Sequence, residues 1–154
     1  MLFRKTLVMN IKNLEKFIKE NNIPKYRLQQ IKQAIYQEAC LSFAEISTLP
    51  KDLKSELGNN IKILSLSAEK VLVATNKKSA KVLFAAVDGN KIESVIMKNS
   101  PNRWTVCLSV QAGCPIGCPY CATGQGGFKR NLTSEEISDQ LLFWQNYLSN
   151  NFPE

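Results

Sequence analysis

The chain contains no histidine. No imidazole can complete a metal site, which leaves thiolates as the leading nitrogen-free donors for a transition metal. Long apolar runs are missing as well. Met1-Leu-Phe-Arg-Lys-Thr-Leu-Val-Met9 is too short and too interrupted for an export signal or a membrane span, and a cytoplasmic protein with no membrane partner is expected. Thiols stay reduced in that compartment. No internal repeat or low-complexity stretch is present, which leaves one or two small domains for 154 residues. A second C-x2-C pair is also absent, and with it the paired knuckles of common structural zinc modules.

What is present starts with charge. Twenty Lys and Arg face 13 Asp and Glu, a net +7 spread along the chain rather than held in a tail. Such a field favours polyanions such as RNA, and it equally describes a lysine-rich solvated surface. The apolar share of 44% is enough for a buried core.

Five cysteines are distributed unevenly, four of them between Cys107 and Cys121. The run Cys114-Pro-Ile-Gly-Cys118-Pro-Tyr-Cys121 has C-x3-C-x2-C spacing. In a reducing compartment this reads as metal or redox chemistry rather than a disulfide frame. Three thiolates on one short loop can hold three corners of a cubane iron–sulfur cluster, leaving one iron open to a small molecule. Zinc is the rival, with Cys107 as fourth ligand, although Cys107 lies upstream on an expected strand. Cys40 stands apart and reads as a small buried hydrophobe. Gly113, Gly117, Gly124, Gly126 and Gly127 make the loop permissive of close backbone approach. Tyr120 could lie against a flat ligand such as adenine, or simply pack.

Periodicity divides the chain into three parts. Residues 1–58 read as a helical accessory domain, with Ile11, Leu14, Phe17 and Ile18 at helical spacing. Pro24 starts a second helix in which Leu28, Ile31 and Ile35 share a face, and Ser42 and Pro50 start two shorter ones. Gly58-Asn59-Asn60 closes this part. Residues 59–102 read as a small antiparallel sheet, from Ile61–Leu66, Val71–Ala74, Lys81–Val87 and Lys91–Met97, with Asp88-Gly89-Asn90 as a tight hairpin turn. Residues 103–154 begin with a fifth strand, Trp104–Val110, that runs straight into the cysteine loop. Thr133-Ser-Glu-Glu136 is a capping box that opens a helix after it. The fold class expected is α+β passing into α/β, since strand, loop and helix make the first unit of a β/α architecture.

Cys107-Leu-Ser-Val-Gln-Ala-Gly-Cys114-Pro-Ile-Gly-Cys118-Pro-Tyr-Cys121-Ala-Thr-Gly-Gln-Gly-Gly-Phe128-Lys-Arg130-Asn-Leu-Thr133 closely resembles the radical S-adenosylmethionine RNA methyltransferases of the RlmN/Cfr family. The resemblance extends back through Asp88-Gly89-Asn90-Lys-Ile-Glu93-Ser-Val95 to the family's small sheet, and in weaker form to its N-terminal helical domain. It implies an incomplete, partial-barrel radical S-adenosylmethionine core. It implies a 4Fe–4S cluster on Cys114, Cys118 and Cys121, with S-adenosylmethionine on the open iron and Tyr120 near the cofactor's adenine.

The implied reaction is methylation of C2 of an adenine in 23S rRNA, with tRNA as a possible second substrate. Because that ring carbon is a poor nucleophile, the family first methylates one of its own cysteines and joins protein to RNA through it. Cys107 matches the second cysteine, which releases the product and leaves a transient disulfide. Glu93 matches the proton acceptor, against the plainer reading of a solvent-facing strand glutamate. Arg130 belongs to the signature, either on RNA phosphate or orienting the loop. A flavodoxin- or ferredoxin-like electron donor and a monomeric state are further implications.

The family's glycine-glutamate cofactor motif is absent, as is its methyl-carrying cysteine, since the only cysteine left unassigned is Cys40. The expectation is an N-terminal fragment of a longer enzyme, inactive alone. Two alternatives stay open: adenine C8 methylation, as in Cfr-like enzymes, and a zinc-stabilised RNA-binding module without catalysis.

Overall fold

The computed structural model describes residues 7–8, 11–101 and 103–152. They form two compact units: Met1–Ser65 with Gln145–Glu154, and Leu66–Trp144.

In the first unit, β1 (Leu7–Val8) precedes α1 (Ile11–Glu20) and α2 (Lys25–Tyr36). Leu14 and Ile18 of α1 and Ile31, Ala34 and Ile35 of α2 are buried, as helical spacing requires, while Ile11 stays exposed. Pro24 caps α2 with φ −57°, the angle its ring imposes. Ser42 caps a single helical turn at Phe43–Glu45, its Oγ accepting from the Ala44 amide. Pro50 opens α3 (Lys51–Asn60).

The helix α3 passes through Gly58-Asn59-Asn60, where the sequence suggests a stop. Leu57 and Ile61 are both buried, and continuing the helix to Asn60 keeps both on the core side. That outweighs the cost of about 1 kcal/mol for an internal glycine. The strand expected over 61–66 shortens to β2 (Ile61–Lys62), parallel to β1, although Ile63 and Leu66 are still buried.

The second unit is built on an antiparallel sheet of order β3-β4-β5-β6: Ser67–Val73, Ser79–Ala85, Lys91–Ser100 and Arg103–Cys107. Alternation is clean in β4 and β5. Ala80, Val82, Phe84, Ile92, Ser94 and Ile96 are buried, and Lys81, Leu83, Glu93, Val95 and Met97 lie on the opposite face. The last helix, α5 (Ser134–Asn151), covers the buried face. Its Phe143 ring meets Phe84 edge-on at 5.1 Å and Trp144 at 5.2 Å.

The β4–β5 turn is one residue longer than a two-residue hairpin. The Gly89 amide closes a turn on the Ala86 carbonyl at 2.9 Å, and Gly89 takes φ +83°, leaving Ala86 and Asn90 as the closing pair. A three-residue loop of this kind needs glycine at its left-handed position.

Strand β6 stops pairing at Cys107, three residues before the expected end. The cause is a side chain: Gln140 of α5 occupies both backbone groups of Ser109, which are then unavailable to a strand partner. The chain resumes as β7 (Gln111–Ala112), antiparallel to β8 (Arg130–Asn131), with α4 (Ala122–Gln125) between them. No helix among the described residues is long and apolar enough to cross a membrane.

Candidate functional site

Residues 113–129 form an excursion tied at its base by the β7–β8 pair and by the Lys129 amide on the Ala112 carbonyl at 2.9 Å. All three loop cysteines are free and half-buried within it. The base is closed backbone to backbone. A Cβ on Gly113 (φ +75°) would lie 1.8 Å from the Gly127 carbonyl oxygen. Inside the loop, the Cys121 amide donates to the Cys118 carbonyl at 3.1 Å, which sets these two cysteines at the ends of one turn. Gly124 packs against this turn so tightly that a Cβ would sit 2.9 Å from the Cys118 nitrogen.

Backbone amides of Gly124, and then of Thr123, point at the Cys121 sulfur and lower its thiol pKa. The thiolate is the form that binds metal. Cys40 goes the other way: burial, then the Glu45 and Glu38 carboxylates, raises its pKa. Thiolate-only donors on a glycine-lined loop are the chemistry an iron–sulfur cluster requires, so the residues fit such a group. Among the described residues, no three Cys, Asp or Glu side chains close on one point as ligands of a single metal ion. Tyr120 stands 89% exposed at the loop tip, with Ile116 at 77%.

A second group of candidates lies on the outward face of the sheet. Cys107 is directly opposite Val95 across β5–β6, and Glu93 is two residues along on the same face, so the two are diagonal neighbours. Cys107 is exposed and free. Glu93 accepts a 3.0 Å bond from Lys81 Nζ of the neighbouring strand. The topology therefore places Glu93 and Cys107 on one sheet face, and separately carries Cys114, Cys118 and Cys121 on one loop, with Cys118 and Cys121 at the ends of a single turn.

Sequence leaves Arg130 two parts, on RNA phosphate or orienting the loop, and its contacts within the chain are of the second kind. Its guanidinium takes the Glu136 carboxylate in a two-pronged pair at 2.7 and 2.8 Å, and its Nε donates to Asp88 of the β4–β5 turn. Glu136 also accepts from the Thr133 amide, completing the capping box. One side chain thus joins the hairpin turn, the loop exit and the start of α5. The pair separation of 42 residues between Asp88 and Arg130 left no local sign of it.

Arg130 holds the Asp88 carboxyl far below the usual range and lowers Glu136 as well. Stability from these carboxylates is present above their unfolded pKa, near 4, and is lost as pH falls through the depressed folded values. Glu136 is buried, so Arg130→Leu would leave a buried charge without its partner. That substitution is expected to cost about 2–3 kcal/mol at pH 7 in urea unfolding. The difference from the unsubstituted protein shrinks below about pH 4. A pH-independent difference would contradict the ion-pair assignment.

Residues 6–63 match the family described as the ribosomal RNA large subunit methyltransferase N-terminal domain. A ribosomal RNA large subunit methyltransferase Cfr from Bacillus velezensis is 40% identical over 131 residues, covering 85% of this chain and 38% of its own length. One of the same name from Clostridium botulinum is 38% identical over the same share. The chain thus spans 38% of the length of these curated relatives. A crystal structure of a radical SAM methyltransferase from Sphaerobacter thermophilus superposes with a TM-score of 0.79 and 32% identity, over 92% of this chain and 41% of the other.

Proposed function

Because the chain belongs to the RlmN/Cfr family, we propose that it is the cluster-holding segment of a radical S-adenosylmethionine RNA methyltransferase acting on an adenine of 23S rRNA, at C2. The observation that carries this is the loop itself: three half-buried free thiols on a base closed by glycine contacts, with amides favouring the Cys121 thiolate. Cys114, Cys118 and Cys121 would each bind the 4Fe–4S cluster. Tyr120, exposed at the loop tip, would lie against the adenine of S-adenosylmethionine. When bound, these groups supply the one-electron chemistry that an electron-poor ring carbon needs.

The remaining roles fall to the sheet face. Glu93 would accept the proton leaving the ring carbon of a covalent protein–RNA adduct. Cys107 would attack the thioether sulfur of that adduct, forming a disulfide as the sulfur–carbon bond breaks. Their shared face supports the pairing, because both steps address one substrate from one side. The strand–loop–helix order of β7, the cysteine loop and α5 would be the first unit of a partial barrel. RNA binding is supported by the net charge of +7 and by exposed Tyr26 beneath the Arg27 guanidinium, a surface suited to unstacked bases. A flavodoxin- or ferredoxin-like protein would supply the electron.

A chimera tests the reading. This chain would replace the matching segment of the Bacillus velezensis relative, and the 23S rRNA would be digested and analysed by mass spectrometry. A methylated adenosine is expected, at the ring carbon that the Cfr-derived remainder of the chimera addresses, and none from a folded, iron-loaded chimera would contradict the proposal.

A further inference from the structure

We propose that α5 carries a clamp for Cys107, in which Gln140, Trp144 and Ser94 are positioning residues that fix the direction of its thiol. The inference rests on the role proposed above for Cys107. A helix packed on a sheet needs only apolar side chains on its inner stripe. Here Glu136, Gln140 and Trp144, at i, i+4 and i+8, are all buried, and Gln140 and Trp144 completely so. Burying polar groups is costly unless each finds a partner, so their partners indicate what the stripe is for.

Glu136 is taken up by Arg130 and Thr133, whereas the partners of Gln140 and Trp144 converge on the segment leaving β6. Trp144 Nε1 donates to Ser94 Oγ at 2.9 Å, and Ser94 Oγ donates to the Cys107 carbonyl at 2.9 Å. Gln140 Oε1 accepts from the Ser109 amide at 2.9 Å, and its Nε2 donates to the Ser109 carbonyl at 2.8 Å. Ser109 Oγ then donates to the Glu93 carbonyl at 2.6 Å. Cys107 and Ser109 are therefore held on either side of Leu108, and Ser109 is bonded to the residue whose carboxylate shares the Cys107 face.

The need for a clamp follows from the ladder ending at Cys107. A strand's last residue lacks a following pair to fix its orientation, and a slip of one residue would turn the thiol to the opposite face from Glu93. The helix supplies the missing pair with side chains. It does so without touching the thiol, which remains exposed.

The test uses the reduced, metal-free chain, with iodoacetamide alkylation of each cysteine followed by peptide mass spectrometry. Ser94→Ala and Gln140→Leu are each expected to raise the Cys107 rate about threefold or more, and Gln140→Leu to speed exchange of the Ser109 amide about tenfold. Cys40, in the other unit, serves as control and should keep its rate. Ser94→Thr, which retains the hydroxyl, should restore the Cys107 rate. Unchanged Cys107 rates in both variants would overturn the clamp. So would a parallel rise at Cys40, which would mean general loosening. Iron uptake by the cysteine loop is read separately, so failure of the cluster assignment would leave this result standing.

Discussion

Cys118→Ser is expected to abolish cluster retention after anaerobic reconstitution with iron and sulfide, leaving less than about one-tenth of the iron and losing the charge-transfer absorption near 400 nm. Serine is a harder, far less acidic ligand than cysteine, and the chain has no histidine to take its place. Geometry adds to the chemistry. Cys118 and Cys121 end one hydrogen-bonded turn with Gly124 packed against it, which fixes the backbone that presents Cys118. Cys40→Ser is the control. Its thiol is half-buried and pushed towards the protonated form, and its loss should leave the iron content unchanged. Equal iron in Cys118→Ser and the unsubstituted chain would remove the loop from the metal site.

Gly113→Ala is expected to be the most damaging single methyl group in the loop. A side chain at φ +75° already carries about 1–2 kcal/mol of strain. The added Cβ would also overlap the Gly127 carbonyl oxygen at 1.8 Å, a backbone atom that no rotamer change can move aside. The β7–β8 base must open, and a cost of about 4 kcal/mol or more is expected in urea unfolding. Cluster uptake should fail although all three cysteines remain. Gly117→Ala isolates the strain term, because φ is +67° there and nothing lies within 4 Å of the added atom. It should cost only about 1–2 kcal/mol and leave iron uptake near normal. Similar losses at both positions would contradict the close-contact account.

The parts of this fold that sequence made legible are those with a local cause. Pro24, Ser42 and Pro50 begin helical segments through their own φ angles or hydroxyls. The Thr133–Glu136 box does so through reciprocal bonds within four residues. The C-x3-C-x2-C loop was legible because its three cysteines lie within one short stretch of chain.

What escaped notice depends on partners far apart in sequence. Strand β6 stops at Cys107 because of Gln140, 31 residues away from Ser109. Arg130 finds Asp88 across the second unit, and Trp144 uses its indole N–H on Ser94. Three polar-bearing side chains at i, i+4 and i+8 on the inner stripe of an amphipathic helix were the available sign. Periodicity alone counts such positions as errors in the pattern rather than as contacts.

The central claim is that three cysteines carry the metal while Cys107 stays off it. Metal analysis of the anaerobically reconstituted chain and its Cys107→Ala variant tests this most directly. The account predicts about four irons per chain in both proteins, with matching absorption spectra. About one zinc per chain, lost in Cys107→Ala, would contradict it and identify a four-thiolate structural site instead.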